Sequence, residues 1–151
     1  MKEQILNVFA TLGFQLEEME GFGYGFQYEG INYLFMPNED DDEFLNISVP
    51  AILEINDDNL HAALMLMDKM NSTLKYVKAN KLGDGLWLFY ERELFGGEDL
   101  EKLVSRMILH LEAAMNFFRN TMASIKSELE KDDDSTPTDG TEEAAWTIKA
   151  D

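Results

Sequence analysis

Apolar positions along this chain switch repeatedly between a helical and an extended period. Ile5, Val8, Phe9 and Leu12 recur at helical intervals, which predicts a first helix over Lys2 to Leu12 with Gly13 as its stop. Phe14 to Glu20 follows neither period and reads as an extended lead-in. Phe22, Tyr24, Phe26 and Tyr28 then alternate, Glu29-Gly30 supplies a turn, and Ile31, Tyr33 and Phe35 alternate again, which predicts a hairpin. Gly21, Gly23 and Gly25 share the face of the first hairpin strand opposite the aromatics. Glycine in a strand usually marks a bulge or a close packing contact, although a bare backbone face could also receive a peptide or a helix.

Past Pro37, the charged run Asn38 to Glu43 reads as a loop. A third strand is predicted from Phe44 to Val49, with Leu45, Ile47 and Val49 on one face and Pro50 ending it. Asp57 or Asp58 can cap a second helix whose stripe is Leu60, Ala63, Leu64, Met67, Met70 and Leu74. Met65 and Leu66 widen that stripe. Lys75 to Leu82 reads as a fourth strand, placed at an edge by Lys75, Lys78 and Lys81. Gly83-Asp84-Gly85 turns the chain into a fifth strand, Leu86 to Leu94. Leu86 to Tyr90 are apolar on both faces, which predicts a central position for it.

Gly96-Gly97 precedes the last helix, predicted from Glu98 to Glu130. Glu98, Asp99 and Glu101 suit the positive end of its dipole, and Leu100, Val104, Met107, Leu111, Met115, Phe118, Met122, Ile125 and Leu129 belong to its stripe. Such a helix would be about 50 Å long, against about 30–35 Å for a compact domain of this size. Its final turns must overhang, kink or pack on another chain.

From Lys131 the composition becomes acidic and polar, the signature of a linker, before Ala144-Ala145-Trp146-Thr147-Ile148-Lys149. Trp146 and Ile148 alternate like a small strand, which could be a loose terminus or an anchor that docks on a groove or sheet edge. The elements together predict an α+β fold, helix-βββ-helix-ββ-helix, with an antiparallel five-stranded sheet packed by helices. Residues 1–130 form one domain and 131–151 an acidic C-terminal tail.

Charge narrows the partners. Thirty acidic against twelve basic residues give a formal net charge of -18, which repels phosphate backbones and anionic bilayers and so argues against nucleic acid and membrane. No apolar run approaches a membrane span, and no basic start is followed by a leader-like apolar run. The chain has no cysteine, which removes thiolate chemistry and cysteine metal sites and fits a cytoplasmic protein.

Candidate chemistry is sparse. The two histidines, His61 and His110, lie on separate helices without His or Cys at ligand spacing. The acidic run Glu39 to Glu43 lacks the glycine that a calcium loop places at its sharp turn. Phosphate-binding and nucleophile-elbow motifs do not occur. No catalytic residue, metal site or cofactor is expected. The methionines of the second helix are deformable and suit either a core, a homodimer interface or a surface for varied partners.

The segments from Ile5 to Gly13, Tyr24-Gly25-Phe26 with Ile31 to Phe35, and Leu86 to Glu93 followed by Gly96-Gly97-Glu98-Asp99-Leu100 resemble the YbjN-type branch of the type III secretion chaperone-like superfamily. The likeness spans about residues 1–125 and is one of pattern and order. It implies an antiparallel sheet packed by helices, frequent homodimers and protein binding rather than catalysis. The long last helix and the acidic tail depart from that pattern.

These readings converge on a non-enzymatic protein-binding domain, a chaperone-like or regulatory adaptor that forms a homodimer and takes a protein client or regulatory partner. Met65, Leu66, Met70, Phe117 and Met122 are the expected contact residues, with Trp146 and Ile148 from the tail. The alternative is a small-ligand-binding protein or an enzyme using a pocket between the sheet and the last helix.

Overall fold

The computed structural model describes residues 1–134. In chain order the elements are α1 (Lys2–Thr11), β1 (Glu17–Met19), β2 (Gly23–Tyr28), β3 (Ile31–Phe35), β4 (Phe44–Glu54), α2 (Leu60–Thr73), β5 (Val77–Leu82), β6 (Gly85–Glu93) and α3 (Leu100–Asp134). All strands join one antiparallel sheet in the spatial order β1-β2-β3-β4-β6-β5. The fold is α+β as the pattern predicts, but the sheet has six strands rather than five. The additional strand, β1, lies in the expected lead-in. Its three residues are all exposed, so it carries none of the alternating burial from which strands are read.

Alternation decides what each strand gives to the core. Ile31, Tyr33 and Phe35 of β3, Leu45, Ile47 and Val49 of β4, Leu86, Leu88 and Tyr90 of β6, and Val77 and Ala79 of β5 all point to one face. There they meet Ile5 and Phe9 of α1, Ala63, Leu66, Met67 and Met70 of α2, and Val104, Met107, Leu111 and Phe118 of α3 in one continuous cluster. All three helices therefore lie on the same side. As expected, β6 is interior and β5 is an edge.

Several boundaries differ from the sequence reading, among them the start of β5 at Val77 rather than Lys75 and the end of α3 at Asp134 rather than Glu130. Pro50 does not end β4. The strand continues to Glu54, with its register against β6 shifting between Val49 and Leu53. Pro50 brings no N–H to the ladder and Ala51 takes φ +46°, so the irregularity absorbs the proline as a bulge does. The residue before α2 is Asn59, not Asp57 or Asp58. Its Oδ1 accepts from the Asn56 N–H at 2.8 Å, and Asn56 Oδ1 in turn accepts from the N–H groups of Asp58 and Asn59. Finally, α3 starts at Leu100 rather than Glu98. Asp99 precedes it and accepts from the Lys102 N–H at 3.2 Å. The helix is 35 residues long, about 52 Å. Among the side chains described, the last buried one is Phe118, and Met122 and Ile125 are half-buried.

Candidate binding surface

The reverse face of the sheet is where a surface remains. Pairing sets Gly25 opposite Leu34, Leu34 opposite Ser48, Ser48 opposite Phe89 and Phe89 opposite Lys78, a row running across β2, β3, β4, β6 and β5. These residues alternate with the helix-facing set and so point away from it. No helix among the described residues covers them. Neighbours shield part of the row: Trp87 stacks on Phe89 with centroids 5.8 Å apart, and the Lys78 ammonium lies 5.7 Å from the Phe89 ring centre.

Toward β1 this face becomes concave. A hollow of about 930 Å³ is lined by Met19, Phe22, Gly25, Leu34, Pro50 and Trp87 among others. Met19 and Phe22 open its wall, at 47% and 62% exposure, while Leu34 is buried at 3% and Glu17, Gln27 and Asn32 add polar groups to the lining. A single exposed apolar side chain is ordinary on a protein surface, whereas a contiguous concave set marks a binding site. Of the two glycines of β2, Gly25 lines the hollow and Gly23 does not. A Cβ on Gly23 would run into the Phe35 carbonyl, and one on Gly25 would touch the sulfur of Met19 at 3.0 Å. Of the two expectations for these glycines, close packing holds at Gly23. At Gly25 the bare backbone also floors the hollow, with Met19 lying over it.

The two sheet edges differ. At β5 the Ala79 backbone is bonded to the Asn71 side chain, and the Val77 N–H to the Lys75 carbonyl at 2.8 Å. At the other edge, β1 is paired only with β2 among the described residues. Glu17, Glu18 and Glu20 make that edge acidic.

The residues expected to make partner contacts fall elsewhere. Leu66 and Met70, 1% and 0% exposed, belong to the core rather than to a surface, and Met65, Phe117 and Met122 are half-buried. The reason is the position of α2, which packs against both β5 and α3 and so needs the wide apolar stripe for two neighbours. Conversely Leu64, expected in the stripe, is 52% exposed. Trp146 and Ile148 lie outside the described residues.

The two histidines lie apart among the described residues. His61 is exposed on α2, and His110 packs against the rings of Tyr76 and Tyr90. No cluster of His and acidic side chains that could hold a metal ion occurs among the described residues. Between the sheet and α3 the space is taken by core side chains. The Tyr33 hydroxyl is buried there without a hydrogen-bond partner among the described residues. Burial pushes it well above the ordinary tyrosine range, the Glu112 carboxylate adds to the shift, and Arg119 opposes it. It stays a neutral phenol at any physiological pH.

No protein-family model matches the chain, and no curated protein matches it in sequence. Its architecture is similar to the crystal structure of YbjN from E. coli, a candidate transcription regulator. The TM-score is 0.61 at 12% sequence identity, covering 82% of this chain and 93% of that chain. At that identity the likeness is one of fold, and the chain has a YbjN-like α+β fold. No described helix is long and apolar enough to cross a membrane.

Proposed function

We propose that this protein is a non-enzymatic adaptor that binds another protein, and that it receives an extended segment of that protein in the hollow beside β1. The observation that carries the reading is the open concavity in which Met19 and Phe22 are exposed and Trp87 is half-buried, next to a strand edge that has no partner among the described residues. An extended peptide satisfies both features at once, since its backbone can pair with an edge strand while alternate side chains enter the hollow.

Two further considerations support it. The fold is shared with a candidate transcription regulator, yet the net charge of -18 repels nucleic acid. A regulatory role for this chain therefore runs through protein contacts. In this reading residues 1–130 act as one chaperone-like unit of the type III secretion chaperone-like kind, cytoplasmic and homodimeric, and 131–151 as its tail. The half-buried Met65, Phe117 and Met122 then serve the homodimer.

Affinity capture of the tagged full chain tests the reading, run beside a Met19→Asp/Phe22→Asp variant. The expected result is one partner at near-stoichiometric yield with the parent and its loss with the variant, at an unchanged melting temperature. An identical set of captured proteins from parent and variant, or recovery of the bait alone from both, would overturn it.

A further inference from the structure

The charge of this chain is unevenly spread. Before Lys69, fourteen acidic residues stand against one lysine, Lys2. From Lys69 to Arg106, seven basic residues meet six acidic ones. Within that stretch lies a strained tyrosine. Tyr76 takes φ +69°, and the Val77 N–H closes back on the Lys75 carbonyl at 2.8 Å around it. This is the form of γ-turn that is rare because it is strained. For a bulky residue such a φ is an outlier, and backbone outliers gather at ligand clamps. Glycine or asparagine would make the turn at lower cost. The presence of tyrosine therefore needs a reason in its ring.

The strain presents that ring. Tyr76 stacks on Tyr90 with centroids 5.7 Å apart and planes at 11°, and meets the His110 ring of α3 at 5.1 Å. Tyr90 and His110 close the triangle at 6.0 Å. Tyr90 is buried, whereas Tyr76 is 67% exposed, so the stack ends in an aromatic face open to solvent. Burial raises the pKa of the Tyr90 hydroxyl, and the two groups that oppose the rise are both cations, Arg92 and Arg106. Arg92 is engaged by Glu98 at 2.8 Å. Arg106 is exposed and makes no ion pair with another described residue. No acidic residue stands within four positions of it on α3. In a chain with thirty acidic residues, this arginine beside an aromatic stack has been left without a carboxylate.

We propose that Tyr76, Tyr90, His110 and Arg106 form a second binding surface, which takes an acidic segment of a partner protein: a planar side chain lies on the open face of Tyr76 and a neighbouring carboxylate on the Arg106 guanidinium. Chemistry selects that class. A guanidinium fork matches a carboxylate through two parallel hydrogen bonds and sits well beside aromatic faces. Tyrosine supplies a rigid, amphipathic contact at small entropic cost. A nucleic-acid strand also offers stacking bases and anions, but its charge continues along its length across a molecule of net charge -18. A short acidic segment engages the patch alone, and screening confines its repulsion from the remaining surface to about 8 Å at physiological salt. Tyr90 belongs to the helix-facing set, so this surface and the hollow lie on opposite sides of the sheet. Either stands without the other.

The chain's two histidines make the test direct. His110 lies in the surface, and His61 lies at the end of α2 remote from Tyr76. In NMR titrations of the full chain at physiological salt, a capped Glu-Glu-Tyr-Glu-Glu peptide should shift the ring protons of His110 saturably and leave those of His61 in place. A Gln-Gln-Tyr-Gln-Gln peptide should bind about tenfold more weakly or worse. Arg106→Gln should weaken binding of the acidic peptide about tenfold or more, and Arg106→Lys should lose less. Tyr76→Gly removes the ring and accepts φ +69° without strain, so the chain should still fold while affinity falls about 2–10-fold. A His110 signal unmoved by millimolar acidic peptide would overturn the proposal. So would equal affinity for the glutamine peptide, or affinity untouched by Arg106→Gln. An oligothymidylate that shifts His110 where the acidic peptide does not would assign the surface to nucleic acid and overturn it as well.

Discussion

The side-chain amide of Asn71 and the backbone of Ala79 hold each other by two hydrogen bonds, Nδ2 donating to the Ala79 carbonyl at 2.9 Å and Oδ1 accepting from the Ala79 N–H at 2.7 Å. An amide side chain thus takes the place of a neighbouring strand. Replacing Asn71 with Ala should cost about 1–3 kcal/mol, because two backbone groups lose their partners. It should also promote self-association through the reopened edge. Urea unfolding and sedimentation measure the two effects. Unchanged stability and mass would remove the sealing role.

Gly23 and Gly25 should respond differently to alanine. Gly23 has φ +142° and its missing Cβ would strike the Phe35 carbonyl, a backbone atom that cannot swing away. Gly23→Ala should therefore destabilise by well over about 1 kcal/mol. Gly25 faces the far end of a methionine, so Gly25→Ala should cost far less while displacing Met19. Equal melting temperatures for the two variants would contradict the geometry.

The second helix offers a paired comparison. Met70→Ala removes a fully buried side chain and should cost about 2–5 kcal/mol. Leu64→Ala, at an exposed position of the same helix, should stay within about 0.5 kcal/mol of the parent. Chemical denaturation reads both, and a reversed order would place the wrong face of α2 in the core.

Acid should act through Glu98. Its carboxylate accepts from the Phe95 N–H at 2.9 Å and from Arg92 Nη2 at 2.8 Å. The Phe95 N–H is the main reason its pKa lies below the ordinary value of 4.5, with Arg92 adding to it. A depressed carboxyl stabilises the fold above its unfolded pKa, and that stabilisation fades as pH falls through the folded value. The stability gap between parent and Glu98→Gln should be constant at neutral pH and shrink below about pH 4.5. Unfolding titrations at several pH values check it, and a gap that persists undiminished into strong acid would count against the assignment.

Most of the helix-bearing half of this fold is legible in the sequence, because its periods are unmixed. Ile5 and Phe9, Leu45 and Ile47, and Met107 and Leu111 sit on stripes that have only one interpretation. The open half is harder to read. β1 is too short and too exposed to show a period, and Met19 is its sole apolar residue. In α2 a stripe widened by Met65 and Leu66 does not reveal which of its flanks is wet, so Leu64 and Leu66 exchange their expected roles. A signal for the hollow was nonetheless present. Trp87 and Phe89 give β6 a second apolar face, and helices placed on one side of a sheet leave such a face to find other cover. The sequence resemblance to the YbjN-type branch agrees with the fold likeness to YbjN, while the partner-binding residues lie beyond what that likeness carries.

The order β4-β6-β5 has a temporal side. Ile47 pairs with Tyr90 across an intervening helix and strand, so the middle of the sheet joins residues far apart in the chain. During synthesis at about 5–20 residues per second, β4 waits roughly 2–8 s for β6 to appear. The β1–β4 meander can pair locally in that interval, Phe35 with Ile47, but the side of β4 that takes β6 remains open. Non-local pairing of this kind slows folding. The nascent protein therefore holds one edge of β4 unpaired until β6 emerges, and an open edge of this kind invites aggregation.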